Sequence, residues 1–284
     1  MKKILLLGDT GKLGTAIKEV FKDGFSICGK NTSNFNAVDF NLLSSLIESD
    51  KFDIVINTIA FLGIDQCEND NKTAYILNSL YPKKLAELSK KNDFTLVHFS
   101  TDAVFDNFKM DFYNEKDIPS PLNIYGATKY LGDCFIQAYS KKYYIFRIPI
   151  LFGFTKKKEQ FVEKMLLKIE NGAKIIKVAD DIISSPTYSI DIAYKLLSFL
   201  NNNENFGLYH IANKGSVSLH EIMKNIIKNL NLDIDIQPAS YKDFPFVAIK
   251  NTYTPLNSIK TSLLRHWEDA LFDYCERLKK EKLI

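Results

Sequence analysis

Lys3-Ile4-Leu5-Leu6-Leu7-Gly8-Asp9-Thr10-Gly11-Lys12-Leu13-Gly14 is the stretch on which the fold turns. An apolar run closed by glycine reads as a strand buried on both faces. From Lys12 to Phe21 the apolar residues Leu13, Ala16, Ile17, Val20 and Phe21 recur with a helical period. Gly8-x-x-Gly11-x-x-Gly14 therefore lies between a strand and a helix. Glycines there close the turn and let an anion approach the backbone N–H groups of the helix start. The pattern favours an anion without saying which one.

Outward from that stretch, strand and helix alternate. Phe25–Cys28, Phe52–Ile56, Thr95–Phe99 and Tyr143–Ile148 read as strands. Helical periods follow Asp39, run from about Thr73 to Lys91 around Pro82, and cover Ile124–Tyr139. Such alternation specifies βαβ units with a parallel sheet and right-handed crossovers. The expected fold is α/β, a Rossmann-type doubly wound parallel sheet with a smaller α/β substrate-binding domain at the C-terminus. Residues 1–152 form the nucleotide-binding unit, with a returning segment near 186–212, and 153–284 mainly the substrate unit. The latter should hold a Lys-rich helix from Glu159 to Glu170, a strand at Lys174–Val178, a helix near Asp191–Leu200 and a strand at Leu208–Ala212. Its last 70 residues read as helix and loop, ending in a solvated Lys279-Lys280-Glu281-Lys282 tail.

Composition narrows the function. The chain has 284 residues, 46% hydrophobic and 25% charged, with a net charge of +3. That leaves no basic footprint for nucleic acid, and Arg147, Arg265 and Arg277 are the only arginines. No apolar run reaches the roughly 18 residues of a membrane span. Cys28, Cys67, Cys134 and Cys275 lie far apart, as do the four histidines. No metal is expected, and reduced thiols imply a cytoplasmic protein.

Ligands of open parallel sheets sit at the carboxyl ends of the strands. Those ends carry Gly8-Asp9-Thr10-Gly11, Gly29-Lys30-Asn31, Asn57-Thr58 and Ser100-Thr101-Asp102. An NAD-type ribose is read by an acid about 20 residues beyond the glycine motif. Here no acid follows Cys28 until Asp39, and Lys30 is placed to face a 2′-phosphate, which favours NADPH over NADH. Of the 14 tyrosines, Tyr125 alone has lysine four residues on. On a helix Tyr125 and Lys129 share a face. Lys129 is expected to pull the phenol pKa down toward neutrality, making Tyr125 a general acid for a carbonyl oxygen that receives hydride. Thr101 is placed to hydrogen-bond the same oxygen.

With Ser100-Thr101-Asp102-Ala103-Val104-Phe105 and Pro121-Leu122-Asn123-Ile124-Tyr125-Gly126-Ala127-Thr128-Lys129, the chain resembles the dTDP-4-dehydrorhamnose reductase family of extended short-chain dehydrogenases/reductases. Asn57-Thr58-Ile59-Ala60, Ile64-Asp65-Gln66-Cys67-Glu68, Ser185-Pro186-Thr187, Gly207-Leu208-Tyr209-His210 and Pro255-Leu256-Asn257-Ser258 extend the resemblance over nearly the whole chain. It implies Thr101, Tyr125 and Lys129 as catalytic residues, with Tyr125 and Lys129 also in contact with the cofactor and Lys129 holding its nicotinamide ribose. It implies cofactor contacts from Gly11, Lys12 and Leu13 within the Gly8, Thr10 and Gly14 cradle, from Asp39 and Phe40 to adenine, and from Ala60, Phe61 and Leu62. Thr101, Asp102, Ala103, Ile150, Ser185, Thr187 and Asn257 would meet the substrate. The implied reaction is NADPH-dependent reduction of the 4-keto group of a nucleoside-diphosphate 4-keto-6-deoxysugar, for activated deoxysugar and surface polysaccharide synthesis. A homodimer is left open. The sugar pocket departs from the family. Ala103 and Ile150 replace aromatic residues, Phe61-Leu62 replace His-Thr, and Thr254 replaces arginine. Alternatives are a non-catalytic NADP-binding regulatory subunit, opposed by the intact trio, and a nucleotide-sugar epimerase, opposed by the acid-free second strand end.

Overall fold

The computed structural model describes residues 1–155 and 160–281. The first half runs β1 (Lys2–Leu7), α1 (Lys12–Phe21), β2 (Phe25–Lys30), α2 (Phe40–Ser49), β3 (Ile54–Asn57), α3 (Ile64–Asn69), α4 (Asn71–Tyr75), α5 (Tyr81–Asn92), β4 (Thr95–Thr101), α6 (Ile124–Tyr139) and β5 (Tyr143–Ile148). It continues with β6 (Leu151–Phe152), α7 (Phe161–Glu170), β7 (Ile175–Ala179), β8 (Ile183–Ser184), β9 (Thr187–Tyr188), α8 (Ser189–Asn202) and β10 (Gly207–His210). Then come β11 (Asn213–Lys214), β12 (Val217–Ser218), α9 (Leu219–Leu230), β13 (Asp235–Ala239), β14 (Leu264–His266) and α10 (Trp267–Lys280).

Six parallel strands form one sheet in the order β10-β5-β4-β3-β1-β2. This is the doubly wound topology, with the order reversing beside β1. Alternate residues of β1 enter two different cores. Ile4 and Leu6 join a core with α1, α8 and the C-terminal helices, whereas Leu5 and Leu7 join one with α2 and α5. Burial on both faces is why these strands are continuous apolar runs. No helix among the described residues is long and apolar enough to cross a membrane.

Three sequence expectations change. The helix expected from Thr73 to Lys91 is interrupted by a π-helical turn at Ile76–Leu80. Pro82, in the first turn of α5, has no N–H to give to the Asn78 carbonyl four residues back. Gly132 of α6 lies against that oxygen, 2.3 Å from where a β-carbon would sit. The last 70 residues also contain strands. β13 pairs in parallel with β7, and β14 with β11. Pro238 hides β13 from a reading of propensity, yet an edge strand of a two-stranded sheet tolerates it. Finally, the Lys-rich helix begins at Phe161; Glu159 lies outside the described residues, as does Lys282 of the tail.

Candidate active site

The start of α1 is built for an anion. Gly8 has φ +87°, and a β-carbon on Gly14 would stand 2.2 Å from the Gly8 carbonyl, so only glycine lets helix and turn approach this closely. Gly11 caps the helix without a side-chain bond, which leaves the first-turn N–H groups available. These features fit a pyrophosphate. The Lys12 side chain does not face this turn. Its ammonium lies 2.7 Å from Glu163 of α7 and 2.9 Å from the Leu151 carbonyl, all within the interior. Burial lowers the Lys12 pKa and raises that of Glu163, each opposed by its partner. Leu13 is buried in the core and Thr10 is exposed.

The end of β2 is not acid-free in three dimensions. Asp9, from the β1–α1 turn, places its carboxylate over Gly29, where a β-carbon would come within 2.3 Å. It accepts hydrogen bonds from Asn31 Nδ2 at 2.8 Å and Lys18 Nζ at 3.0 Å. Lys30 is half-buried beside it, and its carbonyl receives the Gly8 and Asp9 N–H groups. This carboxylate comes from the turn that precedes β2, not from the residues after it, so the linear order of the chain conceals it. Asp39 caps α2 through the Asn41 and Leu42 N–H groups, and Phe40 packs on Tyr81 with centroids 6.2 Å apart.

Ala60, Phe61 and Leu62 follow β3. The backbone of Phe61 is gripped on both sides by the buried amide of Asn78, with bonds of 2.9 and 3.1 Å. Asn78 sits in the π-helical turn, and nothing in its sequence context marked it.

Thr101 ends β4. Its hydroxyl donates to Asp102 Oδ1 at 3.1 Å and accepts the Ala103 N–H at 3.1 Å. Asn123 caps α6 through the Gly126 N–H, and Glu68 of α3 receives the Ile124 N–H. A β-carbon on Gly126 would be 2.1 Å from the Ala103 carbonyl, so this glycine seats Tyr125 against the end of β4. Lys129, 2% exposed, sends its amine to the Phe99 carbonyl at 2.6 Å and to His98 Nε2 at 3.3 Å.

The direction expected for the tyrosine is wrong. Burial raises the Tyr125 pKa, against a smaller lowering by the Thr101 hydroxyl. The Lys129 amine is engaged by His98 and the Phe99 carbonyl of β4, and burial lowers its own pKa to about 8. A phenol that keeps its proton is the form needed by a general acid.

Among the described residues Asp102 has no cationic partner. Its other oxygen accepts from Thr254 Oγ1 at 2.7 Å and Ser184 Oγ at 3.5 Å. Burial pushes its pKa up to about 6, partly offset by the Thr254 and Thr101 hydroxyls. A carboxyl whose folded pKa exceeds its unfolded value destabilises the fold once ionised, fully above the folded pKa and not at all below the unfolded one. Asp102→Asn should therefore raise the melting temperature more at pH 8 than at pH 4. Equal changes at the two pH values would contradict the shift.

Ser185 and Thr187, assigned above to the substrate, are fully buried. Ser185 Oγ accepts the Leu256 N–H at 3.3 Å, and Thr187 Oγ1 bonds the Ser185 carbonyl and the Asn213 N–H. They brace β8 and β9 rather than line a cleft. Asn257 is exposed, Ala103 is buried and Ile150 half-buried.

The model of the family described as "RmlD substrate binding domain" matches residues 1–280. The chain is 29% identical to the spore coat polysaccharide biosynthesis protein SpsK of Bacillus subtilis, over 97% of this chain and 98% of that protein. It is 29% identical to a dTDP-4-dehydrorhamnose reductase of Aggregatibacter actinomycetemcomitans, over 85% of this chain and 86% of that one. The structure of dTDP-4-dehydrorhamnose reductase from Bacillus anthracis in complex with NADP superposes with a TM-score of 0.91. It is 27% identical, and the match covers 98% of this chain and all of that one.

Proposed function

Because the chain belongs to the RmlD substrate-binding-domain family, we propose that it is an NADPH-dependent reductase of the 4-keto group of a nucleoside-diphosphate 4-keto-6-deoxysugar. The observation that carries this reading is the seating of Tyr125 at the start of α6 against the carboxyl end of β4, where Gly126 packs on the Ala103 carbonyl beside Thr101. When bound, the nicotinamide cofactor supplies the hydride. The N–H groups at the start of α1 hold its pyrophosphate, and Phe61, gripped by Asn78, borders the same strand ends. Thr101 and Tyr125 converge where the keto oxygen would lie, and Tyr125 gives its proton to the oxygen as the new alcohol forms. The intact Thr101, Tyr125 and Lys129 trio supports catalysis over the role of a non-catalytic subunit. The likeness to SpsK, whose name refers to polysaccharide biosynthesis, supports a place in making activated deoxysugars for surface polysaccharide.

The test is oxidation of NADPH with dTDP-, GDP-, UDP- and CDP-linked 4-keto-6-deoxysugars. At least one should be reduced with a kcat/KM of about 10⁴ M⁻¹s⁻¹ or more. NADPH binding without turnover of any of the four would point to the non-catalytic role instead. Cofactor choice is read in the same assay. NADPH should bind more tightly than NADH, and Lys30→Ala should narrow the gap. Tighter binding of NADH by the parent chain would place the discrimination with Asp9.

A further inference from the structure

Behind the proposed acid lies a chain of buried polar groups whose hydrogen-bond directions can be worked out without ambiguity. The Ile59 N–H donates to Asn57 Oδ1 at 3.0 Å. That bond fixes the amide, so Asn57 Nδ2 is the atom facing His98 Nδ1 at 3.0 Å. Nδ2 is a donor only. His98 Nδ1 must then accept, and a neutral imidazole that accepts at Nδ1 carries its hydrogen on Nε2. Asn57 and His98 are both fully buried, and burial holds the His98 pKa well below its ordinary value. The Nε2–H points at the amine of Lys129, 3.3 Å away. A charged ammonium has three donors and no acceptor, so it meets this N–H donor to donor. The neutral amine has a lone pair and accepts from it while donating to the Phe99 carbonyl.

The charges around Lys129 do not compensate. Asp133, one turn on along α6, raises the proton affinity of Lys129, but less than burial lowers it, and its Oδ2 is held 3.1 Å from Arg147 of β5. Cys67 of α3 is a buried thiol pushed up to about 12, hence neutral, and Tyr125 keeps its proton. A buried ammonium without its own counter-ion loses proton affinity.

We propose that His98, locked by Asn57 in its Nε2–H tautomer, is a positioning residue that sets the proton affinity of Lys129. It acts by presenting a donor where an ammonium needs an acceptor. The consequence for turnover rests on the reductase reading. Each cycle leaves a phenolate on Tyr125, which must regain one proton. A lysine that loses its charge near pH 8 rather than at the ordinary 10.5 gives that phenolate less electrostatic support as the pH rises. Turnover should then fall above that pH, as the ammonium is lost.

The experiment needs no substrate for its main readout. In chain labelled with ¹⁵N-histidine, long-range ¹H–¹⁵N correlation should show His98 with Nε2 protonated and Nδ1 bare from pH 6 to 9. The His98 signal is assigned by its loss in His98→Gln. In chain labelled with ¹³C at lysine Cε, the signal missing in Lys129→Met should titrate near pH 8. Asn57→Asp replaces the donor facing Nδ1 by an acceptor. It should convert His98 to the Nδ1–H tautomer and, together with that, raise the Lys129 midpoint by at least one pH unit. An Nδ1–H tautomer in the parent chain overturns the proposal even if Asn57→Asp does not fold. So does a parent Lys129 midpoint near 10.5. So does a tautomer change in Asn57→Asp that leaves the midpoint where it was. If the spectra agree and no 4-keto sugar is reduced, the tautomer assignment stands and the reductase reading fails alone.

Discussion

Tyr125→Phe should lower single-turnover NADPH oxidation by about 10²–10⁴-fold, the usual contribution of a general acid, while NADPH affinity stays close to that of the parent. The substitution removes one oxygen and keeps the ring. The ring's seat depends on Gly126 against the Ala103 carbonyl and on the Asn123 cap of α6, neither of which involves the phenol. Thr101 keeps Asp102 and the Ala103 N–H as partners whether or not the phenol is present. A variant that kept more than about a tenth of the parent rate would fall well short of the loss expected for an acid. It would remove Tyr125 from the reaction. Lys129→Met should also cut turnover, but for a different reason, because it removes the buried amine that faces His98.

Lys12→Met should destabilise the fold by about 3–5 kcal/mol, the cost of stranding one member of a buried ion pair. The stranded group is the Glu163 carboxylate, 5% exposed, with its ion-pair partner gone. Adding Glu163→Leu should recover most of the loss, since a pair replaced by apolar side chains is often neutral or better. Urea unfolding of the parent, the single and the double variant measures both effects. NADPH affinity, measured alongside, separates this role from cofactor contact. The ammonium is engaged with α7, so the folded Lys12→Met protein should bind NADPH nearly as the parent does. A loss of NADPH affinity of tenfold or more with unchanged stability would mean that the side chain reaches the cofactor and the strut assignment is wrong.

Local signals were strong wherever one element carried the whole message. β1, α1, α6 and β5 lie where period and composition placed them, because a doubly buried strand and an amphipathic helix each write their burial into consecutive residues. Tyr125 and Lys129 were visible for the same reason, since i and i+4 share a helix face. β13 was not, because its two-stranded pairing with β7 leaves only a weak burial pattern and Pro238 masks what remains.

The α/β class, the anion-binding turn and the tyrosine–lysine pair were thus settled in the primary structure, through contacts that span a few residues. Everything that depends on what lies opposite a side chain was settled by tertiary packing. Asp9 reaches the end of β2 only because β1 and β2 are neighbours in the sheet. Lys12 turned inward because α7 brings Glu163 to it across 150 residues of chain. Ser185 and Thr187 were taken up by backbone N–H groups from distant loops. The proton affinities of Tyr125, Lys129 and Asp102 follow from burial and from partners such as His98, Asn57 and Thr254, and desolvation arises only once the chain has closed around a group.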